Sequence, residues 1–412
     1  IVPDVVEFGD WATVVLDFGV NNPDGSLLRI DNRETDHWLG MDSVEIDSHV
    51  LLQRLPQLKA CVQKAAYIAA RTGAPAASLQ DLPNSPEVFA TDPLRLPRYA
   101  DLLKAFSYQD FLDHPEEPER LVDLADAKAV VRAMDAIQAF TAGLPTGAVR
   151  RFGVTGYSKL ATATYIAAAA DSRVKAMAPM AIGMHALSDG AYDAPEGHSA
   201  TIAARAARRA TYGKQPNSWK DLYLPVRVSA NTPEMKKMMQ IIDPANFKER
   251  LTMPKLVATA ANDRVLSQDF EPQYERIVPQ MPGVTAYLNV PNCDHDEVIV
   301  KSLPTSAALF RGVLLGRTPP TVASSWRGAL GTIIAKQVGD TDIRPLAVRR
   351  WDGPLLDNNG PWASVPLPNG NGTTWSSRVP TSPFEQHASF IELEFEWPEP
   401  GHRFHVSTME YP

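Results

Sequence analysis

The chain has 412 residues, 44% of them hydrophobic and 21% charged, with a formal net charge of -8. That is enough sequence for two or three ordinary domains and a large core, and the acidic balance argues against nucleic acid or an anionic membrane surface as the main partner. No apolar run approaches the roughly 18 residues of a membrane-spanning helix, and no charged-then-apolar leader opens the chain. It begins at Ile1 rather than Met, so an N-terminal piece is expected to have been removed or left out. Cys61 and Cys293 are too few for a disulfide-built scaffold and leave both their pairing and the compartment open.

Ala12 to Phe18 reads as a buried strand ending in the turn-rich Gly19-Val20-Asn21-Asn22-Pro23-Asp24-Gly25. The loop Gly19 to Asn22 is a candidate for one oxyanion N–H, from Val20 or Asn21, and reads also as a plain strand-loop junction. Leu55 to Thr72 has helical spacing and is closed by Gly73 and Pro75; a Pro-rich connection follows through Leu82 to Pro86, then a helix over Tyr99 to Leu112. Pro118 to Gly143 predicts one long amphipathic helix with Leu121, Leu124, Ala125, Val131 and Met134 on its apolar face.

Arg151 to Tyr157 predicts a strand, Ser158 a sharp corner, and Lys159 onward a strongly helix-prone run. This is the layout of a nucleophile elbow, in which a serine stands clear of the sheet beside a helix N-terminus. Val174 to Ile182 is another buried strand, so the elbow lies inside a strand-helix-strand crossover of a parallel sheet. From Gly183 to Lys248 the pattern weakens, with His185, His198, Trp219 and Tyr223 and a Met-rich helix at Met235 to Ile241. An insertion here reads as a helical lid over the substrate pocket, and each of its residues reads also as plain packing. Strands over Lys255 to Ala260 and Val284 to Val290 each deliver a polar loop.

Those loops carry Asp263 and His295. Serine, then acid, then histidine, each just past a strand, is the order of an α/β-hydrolase. Serine is a poor nucleophile at its free pKa. A neutral His295 would take the Ser158 proton, and Asp263 would hold the imidazole tautomer and stabilise its charge. The Lys159 N–H is the other proposed oxyanion donor, and Tyr157, His185, His198 and Trp219 are candidate substrate contacts. Asp269 is a rival acid, and Asp294 or Asp296 could crowd the histidine instead. The run Asp294 to Glu297 also has the composition of a metal cluster, but adjacent residues in extended structure point to opposite faces, so no metal is expected.

Beyond Gly316 the composition shifts. Thr318 to Thr321 reads as a linker into β-structure, and Ile391, Leu393, Phe395 and Trp397 alternate with Glu392, Glu394 and Glu396 as a strand with one wet face. Pro398 to Gly401 turns it into Arg403 to Met409 as a hairpin. The expected architecture is α/β: an alpha/beta-hydrolase, doubly wound and mostly parallel, over residues 1–316 with a lid at 183–248, followed by an all-β, sandwich-like domain at 317–412. Asn371-Gly372-Thr373 is an N-glycosylation acceptor pattern.

These residues resemble the PhoPQ-activated pathogenicity-related proteins, predicted α/β-hydrolases that also include secreted proliferation-repressor proteins. The resemblance runs through Arg132 to Phe140, Thr155-Gly156-Tyr157-Ser158-Lys159, Arg173 to Ala176, Asp243-Pro244, Arg250 to Leu256, and Pro291-Asn292 with His295. It departs at Leu160, Ala161 and Thr162, where the family continues Lys-Arg-Gly-Trp from the serine, and around Asp263, where Asn262-Asp263-Arg264 replaces Gly-Asp-Glu. The chain starts close to the presumed third strand, with earlier strands missing or replaced by Ile1 to Asp10. The resemblance implies a secreted or periplasmic protein without a cofactor. The expected function is a serine hydrolase acting on a small-molecule ester or peptide. The alternative is a weak or inactive hydrolase-fold protein serving as an extracellular binding, signalling or assembly component, with a protein partner on its β-domain. An esterase on plant or microbial glycans is a third reading.

Overall fold

The computed structural model describes residues 8–17, 60–80, 82, 87–98, 100–182, 232–263, 277–327, 330–354, 360–368, 372–380 and 387–411. Val20, Asn21, His185, His198, Trp219, Tyr223, Asp269 and Asn371 lie outside them, as does 183–231 of the expected lid.

Among the described residues six strands form one parallel sheet. They are β1 (Trp11–Leu16), β2 (Ala76–Leu79), β3 (Arg151–Tyr157), β4 (Val174–Met180), β5 (Lys255–Ala260) and β6 (Thr285–Val290), in the order β2-β1-β3-β4-β5-β6. Every residue of β1 is buried, and β3 and β4 nearly so, because a parallel sheet is covered on both faces. Two residues of β3 show what does the covering. Gly153 and Gly156 differ by an odd number and so face opposite sides of the sheet. A Cβ on Gly153 would come within 2.9 Å of Trp11 and 3.1 Å of Phe310, and one on Gly156 within 2.9 Å of the Leu160 carbonyl and of Thr164 Oγ1. Helix α6 (Leu303–Leu314), which carries Phe310, thus packs on one face and α4 (Lys159–Ala170) on the other. Helix α1 (Ala60–Thr72) lies on α6, and α3 (Val122–Thr141) on α4.

β2 is not legible in the sequence, where it falls between the helix closed by Gly73 and Pro75 and the expected Pro-rich connection at Leu82 to Pro86. It is four half-buried residues, Ala-Ala-Ser-Leu, with weak strand propensity, held by its parallel pairing to β1. The long helix expected over Pro118 to Gly143 is instead a short turn, Pro118–Arg120, followed by α3. The break falls at Leu121, whose extended backbone lets its side chain enter an apolar cluster with Tyr108, Phe111, Met235, Met238 and Ile242. That cluster joins α2 (Ala100–Asp113) to α5 (Pro233–Ile242), the Met-rich helix, which starts at Thr232 with its hydroxyl accepting from the Met235 N–H. The buried face of α3 is also turned by about one residue from the expected one. It carries Ala127, Val130 and Met134 together with Asp123 and Asp126, while Ala125 is exposed.

After Gly316 the chain forms two antiparallel sheets. Strands β7 (Pro320–Arg327), β8 (Thr332–Gly339) and β11 (Thr374–Arg378) make one, and β9 (Ala347–Pro354), β10 (Ala363–Pro366), β12 (His387–Glu396) and β13 (Arg403–Ser407) the other. The hairpin of β12 and β13 pairs Glu392 with Ser407 through to Glu396 with Arg403. Glu392 is not on a wet face as the alternation suggests. It is buried and accepts from Trp351 Nε1 at 2.6 Å and His405 Nδ1 at 2.8 Å. This β-region shares one apolar core with the parallel-sheet region: Trp397 covers Gly312 of α6, and Ser407 Oγ accepts from the Asn289 N–H of β6.

Candidate active site

β3 ends at Tyr157, and the chain passes into α4 through Ser158. The Ser158 N–H still pairs with the Met180 carbonyl of the neighbouring strand at 2.8 Å, while its own carbonyl accepts from the Ala161 N–H at 2.9 Å. One residue therefore ends a strand and begins a helix, which requires φ 54° and ψ -134°. A non-glycine residue held there costs about 1–3 kcal/mol, and the surrounding packing must hold it. Gly156 allows the close approach of α4 to β3 that does so. Ser158 thereby stands at the C-terminal edge of the parallel sheet, beside the α4 N-terminus, with the Lys159 N–H next to it.

The loops after β5 and β6 reach the same edge. They are tied together where Ala261 N–H donates to the Val290 carbonyl at 3.0 Å and Asn262 N–H to the Cys293 carbonyl at 2.9 Å. Asp263 follows on one loop and His295 on the other. Asp263 Oδ2 lies 2.7 Å from His295 Nδ1, and His295 Nε2 lies 2.8 Å from Ser158 Oγ. A carboxylate only accepts, so Nδ1 carries the ring proton and Nε2 is left to accept from the serine hydroxyl. His295 and Asp263 are 5% and 4% exposed, so the acid–imidazole hydrogen bond is shielded from water, while Ser158 is only half-buried. Burial alone would lower the imidazole pKa, but the charge and hydrogen bond of Asp263 outweigh it and hold it above 6.5, with Asp296 adding and Lys159 opposing.

The nearby acids have other work. Asp294 Oδ1 accepts from the His295 N–H at 2.7 Å, and Glu297 Oε2 from the Asp294 N–H at 3.1 Å, a capping box that stiffens the turn carrying the imidazole. Asp296 is exposed. The Tyr157 ring centre is 6.2 Å from that of His295. Burial, helped by the charges of Asp296 and Asp17, raises its pKa, so Tyr157 faces the site as a neutral phenol. Cys293 is a free, buried thiol whose pKa burial pushes up, which removes it as a competing nucleophile. No group of three metal-ligating side chains occurs among the described residues.

Sequence reasoning missed the buried charges under the elbow. Lys104 of α2 pairs with Asp123 of α3 at 2.5 Å and donates to the Lys159 carbonyl at 3.3 Å. Asp126 lies one turn along α3 and is also buried. In a sequence these three are ordinary charges on amphipathic helices, and nothing in their spacing sets them apart.

A serine at φ 54° on a strand-to-helix corner, over a parallel sheet wrapped by helices on both faces, defines an α/β-hydrolase fold. The chain belongs to the family of the PhoPQ-activated pathogenicity-related protein, whose sequence profile matches residues 52–354. It is similar to autocrine proliferation repressor protein A of Dictyostelium discoideum, 24% identical over 265 residues, covering 64% of this chain and 46% of that protein. The chain thus spans about half the length of this curated relative. Among solved structures it is similar to a puromycin-hydrolyzing peptidase of Mycobacterium tuberculosis at 14% identity, with 75% of this chain and 35% of that one covered and a TM-score of 0.39. A hyperthermophilic esterase of Pyrobaculum calidifontis matches at 12% identity, with 75% and 79% covered and a TM-score of 0.39. Among the described residues no helix is long and apolar enough to cross a membrane.

Proposed function

We propose that this chain is a serine hydrolase that cleaves an ester or peptide bond through an acyl-enzyme. The observation that carries this reading is the continuous line Ser158 Oγ, His295, Asp263, with both contacts below 3 Å. Ser158 attacks the carbonyl carbon while His295 Nε2 takes its proton, and Asp263 stabilises the imidazolium that forms. The tetrahedral oxyanion is held by the Lys159 N–H at the start of α4, with Val20 or Asn21 as second donor; one such donor is worth about 3 kcal/mol. His295 then protonates the leaving group, and water repeats the sequence in reverse to release the acid. Tyr157 lines the acyl or leaving-group side as a neutral hydrogen-bond donor, with His185, His198 and Trp219 proposed as further substrate contacts.

Family membership supports an exported protein, and the composition break at Gly316 supports treating 1–316 as the hydrolase unit and 317–412 as an appended, sandwich-like β-unit. An inactive signalling protein on the same fold draws support from the altered residues Leu160 to Thr162 after the serine, from the added β-region and from the name of the Dictyostelium relative. Against it stands the aligned hydrogen-bond path from Ser158 through His295 to Asp263. Labelling with a fluorophosphonate probe separates the two: the parent chain reacts and Ser158→Ala does not, whereas a parent that stays unlabelled while folded rejects the hydrolase reading.

A further inference from the structure

The two loops that present Asp263 and His295 are also tied to the β-region. Asn262, the residue before the acid, donates from Nδ2 to the Gly360 carbonyl at 3.0 Å. Asn292, three residues before His295, donates from Nδ2 to the Trp362 carbonyl at 2.9 Å and accepts on Oδ1 from the Trp362 N–H at 2.8 Å. Its side-chain amide thus pairs with both backbone groups of one residue, much as a neighbouring strand would. Asn292 has φ 51°, a left-handed conformation that asparagine adopts more readily than other residues with a Cβ. Its own carbonyl accepts from Lys301 Nζ.

The far side of Trp362 is anchored. The side chain is buried, and a Cβ on Gly353 of β9 would come within 2.3 Å of the indole, so the ring lies directly on that glycine. Phe390 of β12 meets it at 5.1 Å between ring centres, and Ala388 and Ala261 complete an apolar cluster separate from the main core. Ala261 is two residues before Asp263, so the segment reaches the acid loop by both a hydrogen bond and packing.

We propose that Gly360 to Trp362 is a strap by which the β-region positions the Asp263–His295 pair, with Asn262 and Asn292 as its attachments and the Trp362 indole as its anchor. The inference rests on the hydrolase reading above. The two loops come from different strands, and their side chains must meet at 2.7 Å. A third segment bonded to both fixes their spacing independently of either strand. Geometry of this kind matters because a 1 Å misplacement of a reacting group costs on the order of 100-fold in rate. The strap residues are positioning residues, acting on chemistry through the acid and the imidazole.

The test uses the full chain and two variants that loosen the strap from opposite ends. Asn292→Gly keeps access to the left-handed backbone and loses both bonds to Trp362. Gly353→Ala displaces the indole from beneath. Two quantities are read: the second-order rate of fluorophosphonate labelling as a function of pH, and the low-field NMR resonance of the His295 Nδ1 proton. The strap predicts labelling slower by roughly 10- to 100-fold at its plateau. It also predicts an acid limb moved to lower pH, because His295 keeps its burial but loses part of the Asp263 interaction, and a shifted or broadened Nδ1 resonance. Parent-like rates overturn the proposal. So does slower labelling that follows the folded fraction while the acid limb and the Nδ1 resonance stay at parent values, since that is a purely structural role. If the parent shows no Ser158-dependent labelling the hydrolase reading fails, and the resonance then decides the strap by itself. Should either variant not fold, Asn262→Ala removes the remaining attachment and is read in the same way.

Discussion

Replacing Asp126 by asparagine removes a buried acid that sits behind the elbow helix. The side chain is 2% exposed, and its Oδ2 has no hydrogen-bond partner. Burial pushes its pKa from 3.8 to about 7; Lys104 and Lys159 pull it down, and the Asp123 charge adds to the rise. The folded chain therefore holds this proton more tightly than the unfolded chain. Below about pH 3.8 both states are protonated and the favourable contribution is fully present; it is lost as pH rises through the folded value near 7. A difference of about 3 pKa units corresponds to roughly 4 kcal/mol at pH 8, an upper figure because the site can relax around the charge. At pH 5 only about 1.5 kcal/mol of that has been lost. Asp126→Asn removes the dependence, so its stability relative to the parent should improve by about 2–3 kcal/mol between pH 5 and pH 8. Urea unfolding at the two pH values, with unchanged m-values, measures this directly. An advantage that is equal at both, or that shrinks toward pH 8, refutes the reasoning and means Asp126 is ionised and paired in the folded chain.

Two further outcomes follow from the geometry. Labelling of Ser158 should rise with pH along an acid limb whose midpoint lies above 6.5, because the neutral imidazole is the base and Asp263 outweighs burial in raising its pKa; a midpoint at or below 6.5 in the rate-pH profile rejects that balance. Gly312→Ala should destabilise the chain by about 2–3 kcal/mol in denaturant titration. Its Cβ would fall 1.9 Å from the Trp397 ring, where α6 meets the β-region, and an unchanged midpoint would mean that the two regions do not share this contact.

The parts of the site legible in the sequence were those set by local chain chemistry. Ser158 was readable because a strand, a glycine and an alanine-rich helix meet at one corner. Asp263 and His295 are readable because each follows a short apolar run of strand length that ends in a polar loop. What escaped depends on long-range packing. The break at Leu121 is decided by methionines more than 100 residues later, and the turned face of α3 by two buried aspartates that look solvent-facing in a helical pattern. Glu392 reads as solvent-facing in the sequence because its partners, Trp351 and His405, lie on neighbouring strands. Asn262 and Asn292 read as turn residues, and they are, but their side chains are spent on Gly360 and Trp362, which no local pattern reveals.

The central claim is that Ser158 is a nucleophile activated by His295 and Asp263. Treating the folded chain with a fluorophosphonate and mapping the adduct by mass spectrometry tests it most directly. One adduct per chain on the Ser158 peptide, absent in a Ser158→Ala variant that unfolds at the parent midpoint, is the predicted result. A folded parent with no adduct, or an adduct that persists in Ser158→Ala, would contradict it.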